Sequence, residues 1–283
     1  MMNLSTLKTL FLTTVFMLFG CLAIQAADEG LITKQITIKL DKAGTLPDRI
    51  SSSKKYLITN LKIVGEVNGT DWCLIREMAG SNHGLGKTDG KLSILDLSDA
   101  KIVKGGLPYV ARLDNEQYTS NDELGDYAFY GCSGLTSLTI PSSVTEIGDY
   151  AFKGCSGLTS LTLPSSVTLI CWGAFEGCSG LTSIYAYLEK IPKLGSDVFT
   201  GCDAKNCTVY VPKGTYDAYK SSEFGYFEKI VEFDATGIDK VTTSTNAKEV
   251  SRYSANGQRL SAPAKGLNIV KYSDGSVKKV AIQ

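Results

Sequence analysis

Residues 126–148 read DYAFYGCSGLTSLTIPSSVTEIG, and the chain repeats this stretch with changes three more times, starting at Asp149, Trp172 and Ser196. One phenylalanine and one cysteine of each copy keep their place, in steps of 23, 23 and 24 residues: Phe129, Phe152, Phe175 and Phe199, and Cys132, Cys155, Cys178 and Cys202. A fixed period of this length is typical of stacked repeats that share one continuous core. The stretch therefore predicts a solenoid.

Each copy contains a short strand, a proline turn and a second, compact turn. In the first copy Leu135, Leu138 and Ile140 are spaced to face the core, and Pro141 ends the strand because proline has no N–H to donate. The phenylalanine and cysteine ladders are predicted to point inward as structural residues, with the thiols reduced and buried. The predicted coil has parallel strands on one face and short helical, 3-10 or irregular turns on the other. Three further cysteines receive no assignment: Cys73, Cys171 and Cys207.

These residues resemble the BspA-like leucine-rich repeat proteins of bacteria, whose repeats run approximately A-F-x-x-C-x-x-L-x-x-I-x-[IL]-P-x-x-V-x-x-I-G. The similarity is close from Leu124 to about Pro212 and loose before it. The fourth copy departs from the motif after Cys202 and is interpreted as a C-terminal capping turn, followed by a short helix at residues 216–220. The resemblance implies a right-handed leucine-rich repeat coil that adheres to a host matrix protein, a cell-surface protein or another bacterium.

The first residues are typical of a secretory signal peptide, with Lys8 before a mostly apolar run at residues 10–22. Cleavage after Ala26 is one prediction, which makes residues 1–26 the signal peptide. Residues 18–21 also resemble a bacterial lipobox, which would make Cys21 a lipidated residue. The run is too short for a transmembrane helix, and no other stretch is predicted to span a membrane. Both cleavage and lipidation predict that the chain is exported. The expected location is outside the cell or on the outer cell surface, with the periplasm or a lipid-anchored form as the alternatives.

The remaining boundaries follow from changes in the pattern. Residues 27–125 are predicted to form an N-terminal cap with degenerate repeats, since residues 58–63 and 92–97 share the spacing [IL]-x-x-L-x-[IL] with the strand of the first copy. Residues 126–233 hold the leucine-rich repeats and their capping turn. Residues 234–248 are polar and are predicted to be a linker.

Residues 249–283 are predicted to form a small antiparallel β module. Asn256-Gly257 and Asp274-Gly275 each lie between two strand-like runs and favour β-hairpins. The run from Gly257 to Val270 is similar to the C-terminal sorting-type domains of exported Bacteroidetes proteins. That resemblance implies recognition by an outer-membrane secretion machinery, while a simple accessory β-sheet is the alternative.

Composition and motifs argue against catalysis and nucleic-acid binding. The formal net charge is zero, without the clustered Lys and Arg that nucleic acids require. His83 is the one histidine, in a Gly-rich loop without a nucleophile motif. No paired cysteine spacing of a zinc site occurs, so no metal, cofactor or catalytic residue is predicted. Asp126 and Asp149, one period apart, are expected to cap short helical turns rather than to form a catalytic pair.

The outward side chains of the stacked strands are the predicted binding surface. Alignment of the strands places six of them in one column: Lys62, Asp96, Thr139, Thr162, Tyr185 and Tyr210. A second column contains Ser137, Ser160, Ser183 and Thr208. Tyr187 stands where earlier copies have proline, and exposed tyrosines on a rigid sheet are typical of interfaces. The alternative is that Thr and Tyr simply favour strands.

The sequence therefore predicts an exported, non-catalytic leucine-rich repeat protein that binds a macromolecule, as an adhesin or a protein-interaction scaffold. One alternative is a surface protein that captures glycans, with Tyr185 and Tyr210 stacked on sugar rings. The other is a structural surface protein without a specific ligand.

Overall fold

The computed structural model describes residues 30–112, 115–188, 190–233, 249–254, 258–260, 262, 266–272 and 277–282. The predicted signal peptide with Cys21, the predicted linker, and the turn residues of the two predicted hairpins (Asn256-Gly257 and Asp274-Gly275) lie outside these residues.

The main sheet has eight parallel strands. In spatial order they are β1 (Ile36–Leu40), β2 (Asn60–Val67), β3 (Ile94–Ile102), β7 (Ser137–Thr139), β9 (Ser160–Leu163), β11 (Ser183–Ala186), β13 (Thr208–Pro212) and β14 (Lys229–Phe233). The two degenerate segments of the cap are confirmed as strands of this sheet, because Leu61 pairs with Leu95 and Leu95 pairs with Leu138. The same core column therefore runs from the cap into the clear repeats.

A second parallel ladder lies where each copy returns after its proline turn. Its strands have two residues each: β6 (Glu123–Leu124), β8 (Glu146–Ile147), β10 (Leu169–Ile170) and β12 (Lys193–Leu194). The compact turns are joined as well, since the N–H groups of Tyr127 and Phe129 donate to the carbonyls of Asp149 and Ala151 at 2.9 and 2.6 Å. Successive turns are thus bonded along both sheets and along the compact turns, which fits a solenoid-like fold.

The phenylalanine ladder forms the centre of the core. Its neighbouring rings stack at centroid distances of 5.3, 5.1 and 5.7 Å, and all four are buried. Trp72 covers the first ring at 5.3 Å, while Phe224 and Phe227 cover the last ring, each at 5.0 Å. Aromatic side chains outside the four copies therefore close both ends of the ladder.

The cysteine ladder is buried and its thiols are free, as predicted. The thiol of Cys155 donates to the carbonyl of Phe129 at 3.1 Å, and that of Cys178 donates to the carbonyl of Phe152 at 3.1 Å. Burial raises the pKa of Cys132 to about 12 and that of Cys155 well above its ordinary value. These groups are inert structural thiols, since a thiolate is the reactive form.

The N-terminal cap contains two helices, α1 (Leu46–Arg49) and α2 (Gly69–Met78), and the antiparallel hairpin of β4 (Gly105–Arg112) and β5 (Asn115–Thr119). Helix α2 joins the cap to the first repeat. Trp72 donates from Nε1 to the carbonyl of Ala128 at 3.0 Å, and the fully buried Arg76 donates to the carbonyls of Tyr127 and Ala128. A buried guanidinium is costly unless its donors are satisfied, so these bonds from Nη1 hold the helix in place, although Arg76 Nε has no partner among the described residues.

The C-terminal end of the repeats contains the predicted short helix, α3 (Tyr216–Lys220), and a 3-10 helix (Glu223–Tyr226) before β14. Tyr219 is buried and donates its hydroxyl to the carbonyl of Leu188 at 3.0 Å. The C-terminal residues form a four-stranded antiparallel sheet in the order β16 (Arg259–Leu260), β15 (Glu249–Ser254), β17 (Gly266–Tyr272) and β18 (Val277–Ile282). We call this sheet the C-terminal module.

The expectation that Asp126 and Asp149 cap helical turns is wrong. Asp126 Oδ1 accepts the backbone N–H of Asp149 at 2.8 Å, and Asp149 Oδ1 accepts that of Trp172 at 2.9 Å. The carboxylates therefore bond to the next turn, because identical positions stack one strand spacing apart. Burial raises the pKa of Asp126 against the opposing effect of this hydrogen bond.

Phe152→Ala should lower the free energy of unfolding by about 3–5 kcal/mol, because it opens a cavity between two stacked rings. Tyr216→Ala, which removes an exposed ring from α3, should change it by no more than about 0.5 kcal/mol. Chemical denaturation of chains that start at residue 27 measures both. A loss below about 1 kcal/mol for Phe152→Ala would contradict a central role of the ladder.

Candidate binding surfaces

The register of the predicted surface columns is confirmed. Lys62 pairs with Asp96, Asp96 with Thr139, Thr162 with Tyr185, and Tyr185 with Tyr210. The second column is also in register, with Ser160 opposite Ser137 and Ser183, and Thr208 opposite Ser183. The predicted residues therefore share one face of the main sheet.

The two charged residues of the first column neutralise each other. Lys62 Nζ lies 3.2 Å from Asp96 Oδ2 and 2.7 Å from Asp99 Oδ2. The hydrogen bond to Asp99 is the largest cause that raises the pKa of Lys62. Asp96 is also buried, as is Thr139, whereas Thr162 is half-buried. Lys62 is thus shared between two carboxylates, of which that of Asp99 remains exposed.

The prediction that Tyr185 and Tyr210 are exposed is wrong in this structure. Their rings stack at 4.7 Å and 8°, and the residues are 3% and 5% exposed. The C-terminal module covers them, since Tyr253 contacts the Tyr185 ring at 5.8 Å and Ile269 belongs to the same apolar cluster. Two neighbouring phenol rings are a large apolar area, and their burial is favourable. Their role in binding stays a prediction.

Tyr187 also belongs to this covered cluster. It is half-buried and packs edge-on against Phe233 of β14 at 5.4 Å. Burial raises the pKa of both Tyr185 and Tyr187. For Tyr185 the neighbouring phenols Tyr210 and Tyr253 add to the effect of burial.

A second aromatic surface lies on the compact turns and was missed in the sequence. Tyr130 contacts Tyr127 at 5.7 Å, Tyr127 contacts Tyr150 at 5.6 Å, and Tyr150 contacts Trp172 at 5.1 Å. We call these four residues the aromatic row. Trp172 is 49% exposed and the three tyrosines are half-buried. The sequence does contain the signal, since Tyr127 and Tyr150 each follow an aspartate and lie one period apart. They lie outside the strands, whose residues make up the predicted columns.

The backbone of the aromatic row is unusual for tyrosine. Tyr127 and Tyr150 have φ of 57° and 54°, and the equivalent residues of the next copies are Gly173 and Asp197 at 56° and 60°. This left-handed conformation costs a non-glycine residue roughly 1–2 kcal/mol. Ring contacts of roughly 0.5–1.5 kcal/mol each offset that cost. Tilted contacts between neighbouring rings thus help to fix the row.

Polar groups flank the aromatic row. Lys153 Nζ lies 4.6 Å from the centre of the Tyr150 ring and 2.9 Å from Glu176 Oε1. Trp172 donates from Nε1 to Asp197 Oδ2 at 3.2 Å. The row therefore combines exposed aromatic area with fixed charges of both signs, a mixture that is found at binding surfaces.

The described residues also bear on the predicted absence of a metal site and of a membrane span. His83 is exposed in its loop. Within the described ranges, no three His, Cys, Asp or Glu side chains are grouped to hold a metal ion. Across the same ranges, no helix has the length and apolar character needed to cross a membrane.

Comparison with known proteins confirms the repeat resemblance for part of the chain. Residues 116–231 match, in six copies, the family model described as BspA type leucine rich repeat region, which is less than half of the 283 residues. A crystal structure of a leucine-rich repeat protein from Bacteroides ovatus is similar, with 22% identity and a TM-score of 0.35. That match covers 73% of this chain and 44% of the other, so this chain spans less than half of that protein. No curated protein matches this chain.

The burial of Tyr185 can be tested by alkaline titration. Its raised pKa means that this tyrosine stays protonated while an unfolded one ionises near pH 10, so its contribution to stability is present below about pH 10 and declines above it. In the full chain, Tyr185→Phe should leave the tyrosinate absorbance step near pH 10 unchanged. In a chain ending at residue 248, the same substitution should reduce that step by one tyrosine.

The shortened chain keeps the repeat core, since none of the module residues that the structure describes belongs to the main core cluster. Tyr219→Phe is the matched control and should leave the step unchanged in both chains, because Tyr219 is buried inside the repeats. Equal effects of Tyr185→Phe in both chains would contradict the cover.

Proposed function

We propose that this chain is an exported, non-catalytic leucine-rich repeat protein, coiled right-handedly, that binds a macromolecular partner through the exposed surface of its repeats. It acts as an adhesin or as a protein-interaction scaffold. The BspA-type repeat region supports this proposal, because stacked repeats give a rigid, extended surface. A secreted or outer-surface location is part of the same proposal.

The aromatic row is the observation that carries the proposal. It crosses three successive turns, begins at Tyr130 and ends at the half-exposed Trp172. Tyrosine and tryptophan provide large contact area at low entropic cost, particularly when their rings are already fixed. Lys153 and Glu176 at the edge of the row provide a polar rim. A protein partner that covers several turns fits these dimensions.

The tyrosines of the sheet face take a different place in this proposal. Tyr185 and Tyr210 are in contact with the C-terminal module, so a partner reaches them only after the module has moved away. The same condition applies to the glycan alternative in which these two rings stack on sugars. In the full chain we therefore assign binding to the aromatic row.

Trp172 makes the proposal measurable by fluorescence, because the chain has two tryptophans and Trp72 is buried. A bound partner should protect Trp172 from acrylamide quenching and shift its emission. Panels of immobilised matrix proteins and surface polysaccharides, probed with the chain from residue 27, identify the partner. Trp172→Ala with Tyr150→Ala should weaken that binding at least about tenfold, as expected for paired aromatic anchors.

Tyr226→Ala, at an exposed ring of the C-terminal end, is the matched control and should leave binding unchanged. Circular dichroism and melting temperature show whether the double variant remains folded. Unaltered binding by a folded double variant would rule out the aromatic row as the binding surface.

We also propose that the C-terminal module directs export. Removal of residues 249–283 should lower display on the producing bacterium, as the sorting-type resemblance implies, while the repeats stay soluble. Antibody labelling of intact cells measures display, and cell fractionation locates the remaining protein. Equal display with and without the module would contradict a role in export. The module would then act only as a cover for Tyr185 and Tyr210.

A further inference from the structure

A cleft of about 290 Å³ lies between the middle strands of the main sheet and the C-terminal module. Its walls are formed by three serines of the second column, two threonines beside them and two residues of the module: Ser137, Ser160, Ser183, Thr159, Thr182, Tyr253 and Arg259. The cleft exists only because the module rests on the sheet face. It is separate from the aromatic row, which lies on the compact turns.

The floor of the cleft is a set of fixed hydroxyl groups. Thr159 and Thr182 donate to backbone carbonyls of the preceding turns at 3.1 and 3.0 Å, which leaves their oxygens free to accept. Ser160 and Ser183 share one hydrogen bond of 3.1 Å, so they retain capacity for further bonds. Hydroxyls repeated at strand spacing can exchange several hydrogen bonds with a ligand that itself carries neighbouring hydroxyls.

The charge of the cleft is positive. Arg259 is exposed, and among the residues that the structure describes no carboxylate lines the cleft and no ion pair involves this guanidinium. Arg252 of the same module, in contrast, is paired with Glu249 through bonds of 2.9 and 2.7 Å. A guanidinium presents a planar fork that fits a carboxylate with two parallel hydrogen bonds.

Tyr253 adds an aromatic wall. It is half-buried and contacts the Tyr185 ring at 5.8 Å, which fixes its position at the edge of the cleft. The volume lies just below the roughly 300–1,000 Å³ of ligand pockets, which suits one ring-sized group rather than a long oligosaccharide.

We infer that this cleft binds a single carboxylate-bearing sugar residue of a glycan. The carboxylate lies against Arg259, the sugar hydroxyls bond to the serine column, and the apolar face of the sugar ring packs on Tyr253. Each of the three chemical features of a uronic acid thereby meets a matching group.

The test uses the full chain from residue 27 and a tetramer of galacturonic acid, with the neutral galactose tetramer as the comparison, in isothermal titration calorimetry. The acidic tetramer should bind at least about tenfold more tightly than the neutral one, because only it pairs with the guanidinium. Arg259→Gln should remove this preference, and Arg259→Lys should restore part of it. Arg49→Gln, at an exposed arginine of the cap, is the matched control and should change nothing.

Ser160→Val tests the serine side of the cleft without changing the module. It keeps a strand-favouring side chain, and it should weaken the acidic tetramer severalfold by removing one hydroxyl. Trp172→Ala should leave this binding unchanged, which separates the cleft from the aromatic row. Melting temperatures confirm that the variants are folded.

Three results would overturn the inference. The first is absence of binding by the acidic tetramer, and the second is equal binding of both tetramers. The third is displacement of the acidic tetramer by acetate or inorganic sulfate at the same concentration at which monomeric galacturonate displaces it. That result would assign the cleft to simple anions.

Discussion

The distance between successive turns is the constraint on which the structure depends. Backbone hydrogen bonds between parallel strands hold it near 4.8 Å, and every residue of one copy then lies that far from its equivalent in the next. The phenylalanine rings consequently stack at 5.1–5.7 Å, the thiols of Cys155, Cys178 and Cys202 each reach a carbonyl of the preceding turn, and Asp126 bonds to the backbone of Asp149. A Cβ on Gly157 would lie 2.3 Å from the carbonyl oxygen of Ser133, so glycine is required there.

The stacking of successive turns also brings aromatic side chains together on two surfaces, which differ in their exposure to solvent. Tyr185 and Tyr210 stack on the sheet face, and the C-terminal module covers them. The aromatic row on the compact turns stays accessible at Trp172. A surface feature of a repeat protein is therefore a binding site only if no other part of the chain rests on it. The module that removes one candidate surface builds another, the hydroxyl-lined cleft beside it.

Much of the fold could be predicted from the sequence because the repeats carry their own register. The period placed Ser137 opposite Ser160, and the degenerate motif placed Leu61 and Leu95 in the core column. Helix α2 and its buried Arg76 were not anticipated, because a unique segment has no second copy with which to align it. The exposure of Tyr185 was mispredicted for a related reason: its cover, Tyr253, lies outside the repeats and has no periodic relation to it.

The sequence by itself determined the stacking of the repeats through parallel strands, their inward ladders of Phe and Cys, and the order of residues along the sheet face. These properties follow from contacts between equivalent positions one period apart, and the period is visible in the sequence. Only the tertiary structure decided which of those outward residues meet solvent. That outcome depends on the packing of the C-terminal module against the sheet. The burial of apolar area drives this packing, and because it is non-directional it produces no regular residue spacing that could be read from the sequence.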